Sequence, residues 1–320
     1  MILPPPPAHA RLLVADIGGT HARLGWSDAA GQLALQSVTP VNAHASMDAL
    51  LAHCVAGIEQ AEAMVLAVAG QVSADGDAHC ANVPWGVSAS ALQQRWQRPV
   101  QVLNDFHALA LACARLPGDA GQPVCGPQPP DGNGPVLVIG PGTGLGAALL
   151  LADGSVLPGE AGHMALAAGS ARQDAVLAGL RVQRGGGHVP VEAAVSGPGL
   201  LALYRVLCAL DQVPAVLDTP AAVSQAAMAG SATQAMEALW LFCHWLGSFC
   251  GDLALATGAR RIWLAGGILP HIHSALPGSG LATALTAKGV LAPVLAQVGV
   301  RWIEHGALGL RGAALAWRPA

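Results

Sequence analysis

Three short glycine-rich segments and two pairs of polar residues carry the chemistry this sequence can offer. The first segment, Asp16-Ile-Gly-Gly-Thr20, ends an apolar run. Glycine permits the backbone angles that turn the amides of Gly18, Gly19 and Thr20 toward one anion, so the segment can cradle a phosphate or simply close a tight hairpin. The Asp16 carboxylate would repel a phosphate unless a divalent cation, magnesium with its water shell, stood between them. The second segment, Gly140-Pro-Gly-Thr-Gly-Leu-Gly146, has the same design, and its tip of Gly142, Thr143 and Gly144 adds a hydroxyl donor. Two phosphate-sized turns in one chain are harder to explain as hairpin design than one. The third, Gly266-Gly267, follows the apolar run Ile262 to Ala265. It lets the flat face of a base or ribose approach the backbone, or is a plain strand-to-loop turn.

The polar pairs suit an alcohol acceptor. Asn104-Asp105 stands where an apolar run gives way to a helical one, and loop carboxylates at strand ends face crevices in α/β folds. Asp105 is then either the base near an attacking hydroxyl or a helix cap. Glu160-Ala-Gly-His163 places a carboxylate and an imidazole on one short loop after Pro158, where they can grip neighbouring hydroxyls of a polyol from two directions. Zinc at His163 would need more ligands than the neighbouring sequence supplies. The remaining histidines have no partner motif and read as surface or satisfied core residues.

Composition narrows the field. The chain has 320 residues, 53% hydrophobic and 11% charged, enough to bury a large core and to form about two domains. A net charge of −4 without an arginine-rich block argues against nucleic acid as a partner. Lys288 is the sole lysine and lies between Ala287 and Gly289, which excludes both a Walker-A loop and the strand lysine of protein kinases. A nucleoside triphosphate must therefore be held by backbone amides, helix ends and metal. Seven scattered cysteines with no C-x-x-C pair read as reduced, mostly buried thiols of a cytoplasmic protein. Met1-Ile-Leu-Pro-Pro-Pro-Pro7 lacks the charged region of a secretory signal, and residues 1–10 are expected to be a disordered or polyproline lead-in. The uncharged stretch 134–152 is broken by Pro135, Pro141 and several glycines, so two strands around a turn are expected there and no membrane span.

The elements that must position these residues follow from period and punctuation. Strands are expected at 11–17 and 22–27, as a hairpin bent by glycines, and at 63–69, 100–103, 136–139, 146–151 and 261–265. Helical spacing covers 47–60, then about 88–98, 106–115, 200–210 (opened by Ser196 and Pro198), 232–257 (stopped by Gly258) and 309–317. The Gly/Pro-rich stretch 118–134 is expected to be an interdomain crossing or surface loop. Strand, glycine turn, strand recurs on both sides of it, so the chain reads as two related halves. The class is α/β with hairpins, hence mixed rather than purely parallel sheets.

Taken together, Asp16-Ile-Gly-Gly-Thr-His-Ala-Arg-Leu-Gly25, Leu103-Asn-Asp-Phe106, the turn 140–146, Pro158-Gly-Glu-Ala-Gly-His163, Ser196-Gly-Pro-Gly-Leu200 and Leu264-Ala-Gly-Gly-Ile268 resemble the bacterial glucokinase family, from about residue 11 to the C-terminus. The resemblance implies the actin-like ATPase fold, two ribonuclease-H-like domains with mixed sheets around a central cleft. The small domain would comprise 11–118 plus 304–320, the large one 119–303. It also implies transfer of the ATP γ-phosphoryl group to the 6-hydroxyl of D-glucose, giving glucose 6-phosphate and ADP. Other sugar kinases on this fold are the neighbouring alternatives, acting on fructose, mannose or an N-acetylhexosamine or using polyphosphate; so is a nucleotide-binding sensor without turnover.

By the same resemblance Asp105 is the base. Asn104, Glu160, His163 and Glu192 hold the other hydroxyls with Asp105, and Asn82 closes over the sugar. Gly18, Gly19 and Thr20 face the terminal phosphates, Gly142, Thr143 and Gly144 the next ones, and Gly266 with Gly267 the adenosine; Asp16 acts through magnesium. A homodimer is implied. Ala161 stands where the family commonly has glycine, stiffening the Glu160–His163 loop. The cysteine-rich zinc motif of the related repressor and kinase branch is missing, so no structural zinc is expected, and no helix-turn-helix precedes residue 11.

Overall fold

Apolar runs without alternation belong in sheets covered on both faces, and β1 (Leu12–Ile17) is buried at all six positions. The computed structural model describes residues 2–28, 30–80, 83, 85–128 and 134–318. Its packing divides the chain into two units: residues 1–116 with 154–158 and 305–320, and residues 117–153 with 159–304.

In the first unit β1 is joined by β2 (His21–Ser27), β3 (Leu33–Pro40) and β4 (Ala63–Val68). The short strands β5 (Gln71–Val72), β6 (Asp77–His79) and β7 (Val87–Ser88) form a small antiparallel sheet, and β8 (Val100–Asn104) completes the main one. The main order is β3-β2-β1-β4-β8. β1 and β2 are the expected antiparallel hairpin, with Asp16 opposite Arg23, while β1, β4 and β8 are parallel. Side chains alternate between the faces. Leu13, Ala15 and Ile17 point into a core with Leu24, Trp26, Leu50, Leu51 and Met64. Leu12 and Val14 pack on the other side with Leu103, Ala108, Leu310 and Ala313, where α3 (Asp105–Cys113) and the C-terminal helix Leu308–Ala316 lie. α1 (Met47–Cys54) and α2 (Ala89–Trp96), the latter the helix expected near 88–98, come earlier in the chain.

Two expectations fail here for physical reasons. The helix expected over 47–60 ends early: α1 is Met47–Cys54, capped by Ser46, whose Oγ accepts the Ala49 amide at 3.0 Å. Gly57, with φ of 74°, then redirects the chain into a separate 3-10 turn, Ile58–Gln60. The N-terminal segment is not a loose lead-in. Leu3 is completely buried, its amide donates to the Cys54 carbonyl at 2.7 Å and its carbonyl accepts the Ala56 amide at 2.9 Å. The buried Trp26 indole needs an acceptor, and finds it in the Pro4 carbonyl at 2.7 Å.

The second unit has β9 (Gln122–Cys125), β10 (Val136–Pro141), β11 (Leu145–Leu150), β12 (Arg261–Leu264) and β13 (Gly299–Trp302), in the order β11-β10-β12-β13-β9. The uncharged stretch 134–152 forms the β10–β11 antiparallel hairpin, as its breakers predict. β9 overturns part of the loop expected over 118–134: Gln122–Cys125 pairs antiparallel with β13. Arg301 pins the approach to it by donating to the carbonyls of Asp119, Ala120 and Gly121 at 2.7–2.8 Å. Helices α4 (Ala171–Gln183), α5 (Gly197–Leu210), α6 (Pro220–Met228) and α7 (Thr233–Thr257) accompany this sheet. α7 is long and apolar enough to cross a membrane, but 67% of its most apolar window is buried in the protein. With Phe242, Trp245, Leu246 and Phe249 it is the spine of the larger core. All seven cysteines are free thiols; burial raises Cys113 to about 12 and Cys125 and Cys243 to about 11.

Candidate active site

The first unit presents the start of α3 and the β1–β2 turn. At the start of α3 the sequence left open whether Asp105 caps the helix; the cap is Asn104. Its Oδ1 accepts the His107 amide at 3.1 Å and its Nδ2 donates to the Gly70 carbonyl at 3.1 Å. The cap thus uses one lone pair of the Asn104 oxygen, and the Gly70 bond uses one of its two amide hydrogens. Asp105 follows in the first turn, half-buried, with Oδ1 accepting the Phe106 amide at 2.9 Å. Burial, with the Asp105 charge beside it, pushes the Cys80 thiol up, so a neutral thiol neighbours this carboxylate. Asn82, also expected at the sugar, lies outside the described residues.

At the other turn, Asp16 is the penultimate residue of β1, with 6% of its surface exposed. Oδ2 lies 3.5 Å from Arg23 Nη1 and 3.9 Å from His305 Nε2. A Cβ on Gly309, in the C-terminal helix, would stand 2.6 Å from the same oxygen. Gly309 is therefore a residue the sequence reading missed: only a glycine lets this helix cross so close to the carboxylate. The Gly18 amide closes the hairpin on the His21 carbonyl at 3.0 Å. The Thr20 carbonyl accepts the Val41 amide at 3.0 Å, which anchors the turn from behind.

In the second unit, the β10–β11 turn closes in the same way, with the Gly142 amide on the Gly144 carbonyl at 2.8 Å. Gly142 also accepts the Gly197 amide at 2.8 Å, which brings the start of α5 against the turn. Ser196 caps that helix, its Oγ accepting the Gly199 amide at 2.9 Å. Ala265 donates to Ile139 at 2.9 Å and Ile268 to Pro141 at 3.5 Å. These bonds hold Gly266 and Gly267 next to Gly142–Gly144, so two of the three glycine segments meet in one place.

The polar loop is a 3-10 turn, Ala161–His163, entered from Glu160, whose carbonyl accepts the His163 amide at 3.0 Å. Glu160 and His163 are exposed. Glu192, in the turn Val191–Ala193 before α5, reaches this loop: Oε1 is 3.9 Å from His163 Nδ1 and Oε2 accepts the Leu145 amide at 3.3 Å. Gly162 is the residue this loop cannot change, because a Cβ there would collide with the Leu145 carbonyl oxygen. Ala161 packs its methyl against the core without such conflict. The signal for Gly162 was its place between the two polar residues; nothing in the sequence marks its contact with Leu145.

A glucokinase family sequence model matches residues 13–320. The chain is 37% identical over 312 residues to a glucokinase-like protein of Xylella fastidiosa, covering 94% of this chain and 93% of that one. It is 35% identical over 309 residues to the glucokinase of Photorhabdus laumondii, covering 94% of each. Among solved structures, glucokinase from an Antarctic psychrotroph superimposes with a TM-score of 0.78 at 34% identity, over 95% of this chain and 97% of that one. A Balamuthia mandrillaris glucokinase solved with glucose reaches a TM-score of 0.78 at 22% identity, covering 95% and 92%. The mixed sheets, the paired glycine turns and these likenesses agree on the actin-like ATPase fold, and the chain belongs to the glucokinase family of ATP-dependent sugar kinases.

Proposed function

We propose that the protein phosphorylates the 6-hydroxyl of D-glucose with the γ-phosphoryl group of ATP, and that Asp105 is the base. The observation that carries this assignment is the division of labour at α3: Asn104 caps the helix, so the carboxylate of Asp105 is not needed as the cap. Asp105 takes the hydroxyl proton as the sugar oxygen attacks the γ-phosphorus, and the bridging oxygen departs with ADP. Asn104, Glu160, His163, Glu192 and Asn82 hold the remaining hydroxyls. A sugar lacking a matching hydroxyl leaves a polar partner unpaired and is rejected. Gly18, Gly19 and Thr20 face the terminal phosphates; Gly142, Thr143 and Gly144 face the next ones, and Gly266 with Gly267 the adenosine. A glucokinase of Streptomyces griseus solved with glucose and AMPPNP supports this pair of ligands.

Asp16 suits magnesium. It is a hard oxygen donor at the mouth of a phosphate-sized turn, and its 3.5 Å contact with Arg23 is loose enough for a hydrated ion to compete. Asp16 would hold the ion through water, and the ion when bound would neutralise phosphoryl charge. The chain's functional domains are proposed as 11–118 plus 304–320 and 119–303, which the packing breaks near Leu116 and Glu304 support. From the family likeness the protein is further proposed to be a cytoplasmic homodimer.

The test is a coupled ADP-release assay over glucose, fructose, mannose, N-acetylhexosamines, ATP and polyphosphate, run with the wild type and Asp105→Ala. Preference for glucose and ATP is expected, with kcat of the variant down about a hundredfold or more and glucose affinity within about tenfold. Undiminished turnover would refute the base assignment, and a different preferred sugar would refute the substrate.

A further inference from the structure

We infer that His188 is a positioning residue for the acceptor sugar: its imidazole fixes the His163 peptide and, through it, the His163–Glu192 pair. The inference rests on the reading that His163 and Glu192 hold sugar hydroxyls. His188 belongs to the histidines for which the sequence suggested no role.

The local backbone is built to deliver it. α4 ends with Gly185 donating to Val182 at 3.0 Å and Gly186 to Arg181 at 2.8 Å. Gly185, Gly186 and Gly187 then have φ of 77°, 100° and 75°, three successive left-handed residues that side chains would strain. Arg181 Nε donates back to the Gly187 carbonyl at 3.3 Å. The chain so reversed runs antiparallel to the residues after His163. Leu166 donates to Val189 and Val191 to Met164, both at 2.9 Å, with Ala165 opposite Pro190. This short ladder carries Glu192 to its place beside His163.

At the open end of the ladder stands one side-chain bond, between His188 Nε2 and the His163 carbonyl, at 2.8 Å. A carbonyl only accepts, so Nε2 carries the proton. Both residues are exposed; water could satisfy that carbonyl but could not fix its direction. Among the described residues the His163 ring is held by its 3.9 Å approach to Glu192, so loss of the His188 bond to the backbone lets the loop rotate and blunts the grip on the sugar.

The experiment compares His188→Ala, His188→Gln, His188→Phe and His163→Ala by glucose calorimetry, steady-state kinetics on glucose and its epimers, and thermal melting. His188→Ala should raise the glucose Kd and KM about fivefold, leave kcat within about twofold and narrow the preference for glucose over its epimers. Gln, which keeps an N–H donor, should restore both constants, and Phe, which keeps bulk alone, should not. Unchanged glucose constants in His188→Ala, or equal constants in the Gln and Phe variants, would overturn the inference; the Gln–Phe pair decides it if the Ala variant fails to fold. His163→Ala separates the two readings. If it binds glucose normally, the sugar-site reading fails; if it is weakened while His188→Ala is not, only the role of His188 falls.

Discussion

Glu192 faces His163 across 3.9 Å, carboxylate to imidazole, while its second oxygen accepts the amide of Leu145 at 3.3 Å. Leu145 directly follows the Gly142–Gly144 turn, so one carboxylate is shared between the glycine turn and the polar loop. Its two oxygens can be tested apart. Glu192→Gln keeps an acceptor for Leu145 but loses the charge opposite His163, and is expected to raise the glucose KM about tenfold with the ATP KM within about twofold. Glu192→Ala also releases the Leu145 amide, and should raise both. Initial-rate kinetics with each substrate varied in turn reads the difference.

Gly162 and Ala161 predict opposite outcomes one residue apart. A methyl at 162 collides with the Leu145 carbonyl oxygen, a backbone atom that cannot step aside. Gly162→Ala should therefore displace the Glu160–His163 turn, weaken glucose binding more than about tenfold and lower Tm by several degrees. Ala161→Gly should leave glucose binding within about twofold, at a stability cost of about 1 kcal/mol. Calorimetry and thermal melts on the two variants would show the contrast.

Acid should destabilise the second unit through His244. The buried Gln173 gives its oxygen to the Gly169 amide at 2.7 Å, so its nitrogen points at His244 Nδ1, 2.9 Å away. Nδ1 must accept, and the ring stays neutral. Burial, with the Lys288 charge adding to it, holds the His244 pKa below its ordinary 6.5. The unfolded chain takes up a proton near 6.5 that the folded chain refuses, so stability falls as pH drops below that value toward the lowered folded pKa. Burial lowers His107 as well, with the same sign. Gln173→Glu replaces the donor by a carboxylate that can accept from a protonated Nδ1. Urea unfolding at pH 7.5 and 5 should show a smaller acid loss in that variant than in the wild type; an equal loss would remove His244 from the account.

How far this protein could be read from its sequence depended on what each residue contacts. The β1–β2 and β10–β11 hairpins were legible because apolar runs interrupted by glycine admit few other folds. α7 was legible from its length and from Gly258. α4 gave little signal, since it buries only Gln173, Val176 and Leu180 among polar neighbours. β9 hid in a Gly/Pro-rich stretch because it is four residues long, contains Pro123 and owes its existence to pairing with β13 from far along the chain. At the site, Asp16, Asp105, Glu160 and His163 stood out by type and spacing. Glu192 came only from likeness to a family, because its contact with His163 spans residues no local pattern connects. Gly162, Gly309 and the capping role of Asn104 are matters of close approach, which composition does not express.

The N-terminal segment offers a stability test remote from the chemistry. Leu3 is fully buried and Trp26 bonds to the Pro4 carbonyl. Leu3→Ala should cost about 2–4 kcal/mol in urea unfolding, and removal of the first five residues at least as much, with the glucose KM unchanged within about twofold. A truncated protein as stable as the full chain would mean that the segment merely rests on the core.

The C-terminal helix has a consequence for synthesis. It covers Leu12 and Val14 and brings Gly309 against Asp16, within the unit that the chain begins. A ribosome making this protein therefore releases β1 some three hundred residues before the helix that seals it. Until then the nascent first unit has an open apolar flank, whereas the second can close as soon as β13 emerges. The half made first is the half finished last, and for most of translation the apolar flank of β1 awaits the C-terminal helix.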